Sequence, residues 1–258
     1  MPDSATSSET AEAIAAARDA FPNGMEQPEG SFRFSTDALL LAAFAAQSSD
    51  VTERFIDLGT GCGVVGLAYL LLARNNPQGL GIECGAALAA AAAGNAVRLG
   101  LSERFAVRLG DLADGRFPDA LRAEAAPVDL VTANPPWRLI GSGRPPATDA
   151  RRKALFGDAG TFPLFASAAS ALLRRGGRFA CVIGAGRLPD MLSALPASRL
   201  GPTLLRFVHN TSDAPAAFAL IEARKESRAA PIVAAPLILY GPGRVPTPES
   251  LEFCPLLG

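Results

Sequence analysis

Arg54-Phe55-Ile56-Asp57-Leu58-Gly59-Thr60-Gly61-Cys62-Gly63-Val64-Val65-Gly66-Leu67 is the stretch on which the fold turns. Arg54–Leu58 is short and largely apolar, as a strand buried on both faces reads. Glycines then alternate at 59, 61 and 63, and residues without a Cβ suit a tight turn that a ligand approaches closely. The apolar run resuming at Val64 opens a helix, whose first amides face whatever the turn holds. The spacing is GxGxG, and a GxGxxG pattern through Gly61, Gly63 and Gly66 can also be drawn. Alone, such a loop is equally a bare strand–helix turn.

Outward from it, the same alternation continues. Gly79–Glu83, Phe105–Leu109, Val128–Ala133 and Arg178–Ile183 read as further buried strands. Residues 63–74, 86–99 and 161–175 read as the helices between them, with Gly176-Gly177 closing the last. Leu204–His209 and Ala217–Ala223, joined by the polar loop Asn210–Ala214, predict an antiparallel hairpin at the sheet edge. Upstream, Gln27–Phe34 suggests a turn or short hairpin, and Ser35-Thr36-Asp37 caps an apolar helix over Ala38–Ala46. The Pro-rich tail from Pro231 is expected to be extended. Alternating strands and helices predict an α/β fold with a mostly parallel sheet, helices on both faces, and ligands at the carboxyl ends of the strands. The expected organisation is a flexible acidic tail over 1–26, an N-terminal addition over 27–50 and the main domain over 51–258.

With 49% hydrophobic and 19% charged residues, the chain has material for a sizeable core, which excludes wholesale disorder. No apolar stretch is long enough for a bilayer, and Met1 to Thr10 lacks the pattern of a secretory signal, so a cytoplasmic location is expected. Cys62, Cys84, Cys181 and Cys254 form no CxxC pair, and His209 stands alone, so neither a metal site nor a disulfide is expected. The formal net charge of −1 carries no general nucleic-acid signal. Its distribution is uneven. Residues 1–30 hold six acids against Arg18, whereas 138–178 hold eight bases against Asp149 and Asp158, a stretch that suits phosphates or an ordinary solvated surface.

Three acids fall at three successive strand ends: Asp57, Glu83 and Asp111. A carboxylate at Glu83 is placed to accept hydrogen bonds from ribose hydroxyls, as nicotinamide and S-adenosyl cofactors alike require. Asp111 is placed to accept from an adenine amine. The fourth strand ends in Asn134-Pro135-Pro136-Trp137. Asn134 offers a side-chain carbonyl, and the prolines keep the backbone extended so that the Pro135 carbonyl turns outward. Two fixed acceptors suit the two hydrogens of an NH2 group, and Trp137 offers a face for stacking.

These motifs resemble the class I S-adenosylmethionine-dependent amino-methyltransferases, whose signature is (D/N)PP(Y/F/W). Phe32-Arg33-Phe34-Ser35-Thr36-Asp37-Ala38-Leu39-Leu40-Leu41, followed by Ile56–Leu67, is similar to the bacterial tRNA adenine-N6 methyltransferases that modify a valine tRNA. The resemblance implies a Rossmann-like, seven-stranded sheet of order 3-2-1-4-5-7-6 with one antiparallel strand. It implies S-adenosylmethionine held by Asp57, Gly59, Thr60, Gly61, Gly63, Glu83 and Asp111. Asn134, Pro135 and Trp137 become the catalytic group around a flipped adenine. Arg33, Ser35, Asp37, Arg151 and Arg152 become substrate contacts. The expected partner is RNA, in particular tRNA, and the expected state a monomer or weak homodimer. Alternatives are a protein glutamine N5-methyltransferase, an rRNA guanine-N2 methyltransferase, a nicotinamide dehydrogenase, which leaves Asn134–Trp137 idle, and a non-catalytic S-adenosylmethionine-binding module.

Overall fold

The computed structural model describes residues 4–29, 31, 33–114, 116–124, 127–136 and 160–258. In chain order these form α1 (Ser4–Asp19), α2 (Thr36–Ala46), β1 (Arg54–Leu58), α3 (Val64–Leu72), β2 (Gln78–Glu83), α4 (Ala86–Arg98), β3 (Phe105–Leu109), α5 (Phe117–Glu124) and β4 (Val128–Ala133). After them come α6 (Thr161–Leu172), β5 (Leu173–Gly184), α7 (Leu188–Ala197), β6 (Leu200–His209), β7 (Ala216–Lys225), β8 (Ile232–Val233), β9 (Leu237–Ile238) and α8 (Pro248–Phe253). The sheet runs β3-β2-β1-β4-β5-β7-β6-β8, with β9 also on β6. The pairs from β3 to β5 are parallel, and β7 is antiparallel to both neighbours. This is the expected order 3-2-1-4-5-7-6.

Side-chain alternation along the strands builds two apolar layers. Phe55, Leu130, Ala180, Val182 and Leu220 face one way, under α2 and α3. Ile56, Leu58, Val131, Ala133, Phe179, Cys181 and Ile221 face the other, under α6 and α7. The register sets Asp57 opposite Gly81 and Thr132, and Glu83 opposite Leu109. Consequently β1, β2, β3 and β4 end together, and the segments after them emerge side by side.

Several sequence expectations are corrected. Helix α6 ends at Leu172, and Gly176-Gly177 do not close it. They belong to β5, where Arg174–Gly177 bulge out opposite Asp129 between the pairs Val128–Leu173 and Leu130–Arg178. A Cβ on Gly177 would fall 2.9 Å from the Arg174 carbonyl oxygen and 3.2 Å from that of Asp129, so the bulge needs glycine there. The β6–β7 hairpin forms, but neither strand is the sheet edge: β7 lies between β5 and β6, and β8 and β9 pair with the outer side of β6. The tail is not simply extended. It doubles back as β8 and β9, parallel to β6, and then as α8. Cys254 Sγ lies 3.6 Å from the Leu39 carbonyl oxygen, and Gln47 Nε2 donates to the Phe253 carbonyl at 3.4 Å, so the tail packs along α2. No strand occurs among the described residues of 27–34. At the N-terminus α1 is helical, with Arg18 donating to the carbonyls of Leu99 (2.8 Å) and Gly100 (3.2 Å).

Candidate active site at the carboxyl edge of the sheet

Gly59, Gly61 and Gly63 have φ of +66°, +58° and +90°, which side chains other than glycine rarely accept. The loop they form is tied down from three directions. The Thr60 amide donates to the Ile82 carbonyl at 2.9 Å, and the Gly61 amide to Glu83 Oε2 at 2.9 Å. Beneath the loop, Asp57 Oδ2 accepts from the Thr60 hydroxyl (2.6 Å) and the Gly66 amide (3.2 Å), while Oδ1 accepts from the Thr132 hydroxyl (2.7 Å). Asp57 and Thr60 are 1% and 3% exposed. Their side-chain polar atoms serve each other and the loop, so both side chains brace it from beneath. Burial pushes the Asp57 carboxyl up to about 6. The two hydroxyls and the Gly66 amide oppose that rise, and the Glu83 charge adds to it. Burial likewise pushes the Cys62 thiol to about 11, which leaves it a protonated filler.

Glu83 closes β2 beside this loop. Its Oε1 accepts from the Gly85 amide at 2.8 Å while Oε2 takes the Gly61 amide. A carboxylate has about four acceptor sites, so two such bonds fix its orientation and leave capacity for hydroxyl donors. In front of Gly61 the space is open: a Cβ placed there meets nothing within 4 Å. Asp111 follows β3, is exposed, and accepts from the Ala113 amide at 2.9 Å, a local turn that leaves its other oxygen available.

Asn134 follows β4, and the structure reveals what orients it. Its Nδ2 donates to Asp37 Oδ2 at 2.9 Å, across 97 residues of sequence. Asp37 lies in the first turn of α2, is 2% exposed, and also accepts from the Ser35 hydroxyl. A carboxylate only accepts, so the NH2 end of Asn134 must face it, and Oδ1 is left as the outward acceptor. Asp37, expected from the sequence to touch substrate, is buried and bonded to Asn134. Ser35, at the N-cap, spends its hydroxyl on Asp37 and makes no side-chain cap bond. Pro135 is buried and Pro136 half-buried; Arg33 is exposed. Trp137, Arg151 and Arg152 lie outside the described residues.

Two further contributors escaped the sequence reading. Asn95, a buried polar residue in the Ala-rich α4, donates to the Cys62 carbonyl (2.9 Å) and the Glu26 carbonyl (3.0 Å) and accepts from the Glu26 amide (2.8 Å). It fastens the glycine loop to the segment before α2. Phe165 of α6 lies 3.4 Å from where a Gly59 Cβ would stand. Part of the basic stretch 138–178 also reads differently. Arg178 is buried and paired with Glu222 at 3.2 Å, Arg174 with Asp129 at 2.6 Å, and Arg175 with Glu226 at 3.2 Å. Among the described residues, no group of His, Cys, Asp and Glu is arranged to hold a metal ion, and no helix is long and apolar enough to cross a membrane.

No protein-family model matches the chain. Among curated proteins it is 34% identical to the release factor glutamine methyltransferase of Rhodospirillum rubrum over 156 residues, which is 58% of this chain and 45% of that protein. It is 25% identical to the tRNA1(Val) (adenine(37)-N6)-methyltransferase of Pedobacter heparinus over 193 residues, 74% of this chain and 76% of that one. The chain thus spans about half the length of the glutamine methyltransferase it matches. Among solved structures, a predicted O-methyltransferase from Agrobacterium tumefaciens superposes with a TM-score of 0.67 at 24% identity, covering 86% of this chain and 96% of the other. The chain has the fold of the class I S-adenosylmethionine-dependent methyltransferases, and its distant homologues in sequence are N-methyltransferases of two kinds.

Proposed function

We propose that this chain transfers a methyl group from S-adenosylmethionine to an exocyclic NH2 group, the N6 of an adenine in tRNA. The observation that carries the reading is the Asp37–Asn134 bond, which turns a rigid amide carbonyl outward at the end of β4, next to the open glycine loop.

The residues present fit the cofactor. The space before Gly61 is open to a ligand that approaches backbone, and Glu83 stands beside it with acceptor capacity for ribose hydroxyls. Asp111 is the acceptor at the next strand end. When bound, S-adenosylmethionine supplies a methyl group on a positively charged sulfur that leaves as a neutral thioether. The work left to the chain is positioning. Asn134 Oδ1 and the Pro135 carbonyl each take one hydrogen of the NH2 group. This draws the nitrogen lone pair out of the plane of the base and aims it at the methyl carbon. Both acceptors stabilise the positive charge that grows on nitrogen as the N–C bond forms and the C–S bond breaks. The surplus proton then leaves the nitrogen to solvent. Trp137 follows in sequence as the stacking face for the base.

A second reading is favoured by the 34% identity to a glutamine methyltransferase: a glutamine side-chain amide offers the same two hydrogens to the same two acceptors. A tritiated-methyl assay with tRNA and with a release factor as alternative acceptors separates the readings. Label in tRNA recovered as N6-methyladenosine is the expected result, and label confined to the release factor would replace adenine by glutamine. Asn134→Ala is expected to lower transfer by at least about 100-fold, while calorimetry shows near-normal binding of S-adenosylhomocysteine. Undiminished turnover in that variant would defeat the assigned geometry.

A further inference from the structure

At the opposite edge of the sheet, where the parallel strands begin, the molecule carries a second concave site. Its volume is about 420 Å³, and its lining includes Arg122, Arg199, Lys225, Glu226, Ser167 and Ser170. A strand of six residues at about 3.3 Å per residue separates it from Asn134 by roughly 20 Å, so it does not belong to the site described above. We infer that this cavity binds a phosphate group.

The charge and hydrogen-bonding chemistry favour an oxyanion. Three cations face the cavity against one carboxylate, and Glu226 is already engaged by Arg175 at 3.2 Å and Arg199 at 3.7 Å. Lys225 donates to the Leu173 carbonyl at 2.7 Å, and neither it nor Arg122 has a carboxylate partner among the described residues. Partial burial, and then the charge of Arg122, lower the affinity of Lys225 for its proton, which the Glu226 carboxylate only partly opposes. Ser167 and Ser170 are three residues apart on α6 and so share a face, and neither hydroxyl has a hydrogen-bond partner among the described residues.

The backbone gives an independent argument. Arg199 and Glu226 stand at φ of +56° and +62°, two of only four residues other than glycine with positive φ among those described. Arg199 directly follows the C-cap of α7, the position where glycine is the ordinary occupant. The Glu226 amide donates to the Arg199 carbonyl at 2.8 Å and locks the two strained residues together at the rim. A cationic side chain kept where the backbone prefers none is the kind of local conflict that accompanies binding sites.

The shared ligand chemistry is a phosphate group, carried either by a nucleic-acid backbone or by a small phosphorylated molecule. The test is calorimetric titration of the full chain with inorganic pyrophosphate and, separately, with a single-stranded RNA oligonucleotide, against chloride at matched ionic strength. Two variants accompany it: Arg122→Gln combined with Lys225→Gln, and Arg199→Gly. The second relieves the backbone strain, so its folding is secure while the cation is lost. Saturable pyrophosphate binding, weakened at least about tenfold in both variants, is the expected result. An equal loss for RNA identifies a backbone phosphate as the source; an unchanged RNA affinity identifies a small phosphorylated ligand. Absence of saturable binding beyond chloride, or equal affinity in native protein and variants, overturns the inference.

Discussion

Replacing Asp57 by Asn should remove a pH dependence of stability that the structure assigns to one buried carboxyl. Asp57 lies 1% exposed within β1, and burial raises it from 3.8 to about 6. The sign follows from the raised value. The stability this group contributes is fully present below about 3.8, where both folded and unfolded chains carry the proton. It is lost as pH climbs through about 6, because the folded chain must then ionise a carboxyl the interior disfavours. A rise from 3.8 to about 6 corresponds to about 3 kcal/mol in all, of which about 2–3 kcal/mol falls between about pH 4 and pH 7. The amide in Asp57→Asn keeps the geometry. Its oxygen can take the place of Oδ2 and accept from Thr60 and Gly66, and its NH2 can donate to the Thr132 hydroxyl once that rotor turns. The substitution buries no charge; the second amide hydrogen and the rotated Thr132 hydroxyl lose a partner, but that cost is the same at every pH. Urea unfolding of both proteins across that range supplies the measurement, since other groups titrate alike in the two and cancel. The variant should gain about 2–3 kcal/mol on the native protein as pH rises. A difference that stays flat with pH would refute the account of Asp57 as a desolvated brace.

Asp37→Ala should lower kcat with little change in cofactor affinity, because a charge-assisted bond of about 1.5–3 kcal/mol no longer fixes which end of the Asn134 amide faces outward. Asp37→Asn keeps an acceptor and should recover much of the rate; equal damage in both variants would leave Asp37 as packing alone. Glu83→Gln should weaken S-adenosylhomocysteine binding in calorimetry by about tenfold or more, through loss of charge-assisted bonds and of the anchor for the Gly61 amide. Unchanged affinity would count against its assignment to the ribose.

The strands β1 through β4 were legible because they are short apolar runs ending in Gly, Glu or Asn, with glycine forced at 59, 61 and 63 by a left-handed backbone, whereas their order in the sheet came from the family resemblance. The start of β5 was not. Gly176-Gly177 look like a helix stop, and only pairing with β4 shows them as a bulge. The fate of residues 231–258 was equally hidden, since two-residue strands carry no periodicity. At the site, residue types were readable but directions were not. Asp37 and Asn134 are 97 positions apart, and no local pattern tells a carboxylate that meets substrate from one buried behind another side chain. Asn95 did carry a signal: an amide within an Ala-rich helix has to find partners if that face is covered.

The doubling back of residues 231–258 ties the tail to the helix that carries Asp37, and so, under the proposed function, to the aim of Asn134. Helix α2 is clasped between the sheet and the last turn of the tail at Leu39 and Gln47, while its first turn bears Asp37. Loosening Phe253 or Cys254 would let that helix shift along its axis and swing the Asn134 carbonyl off its aim. Damage far from any reacting atom would then register as slowed chemistry rather than weakened cofactor capture.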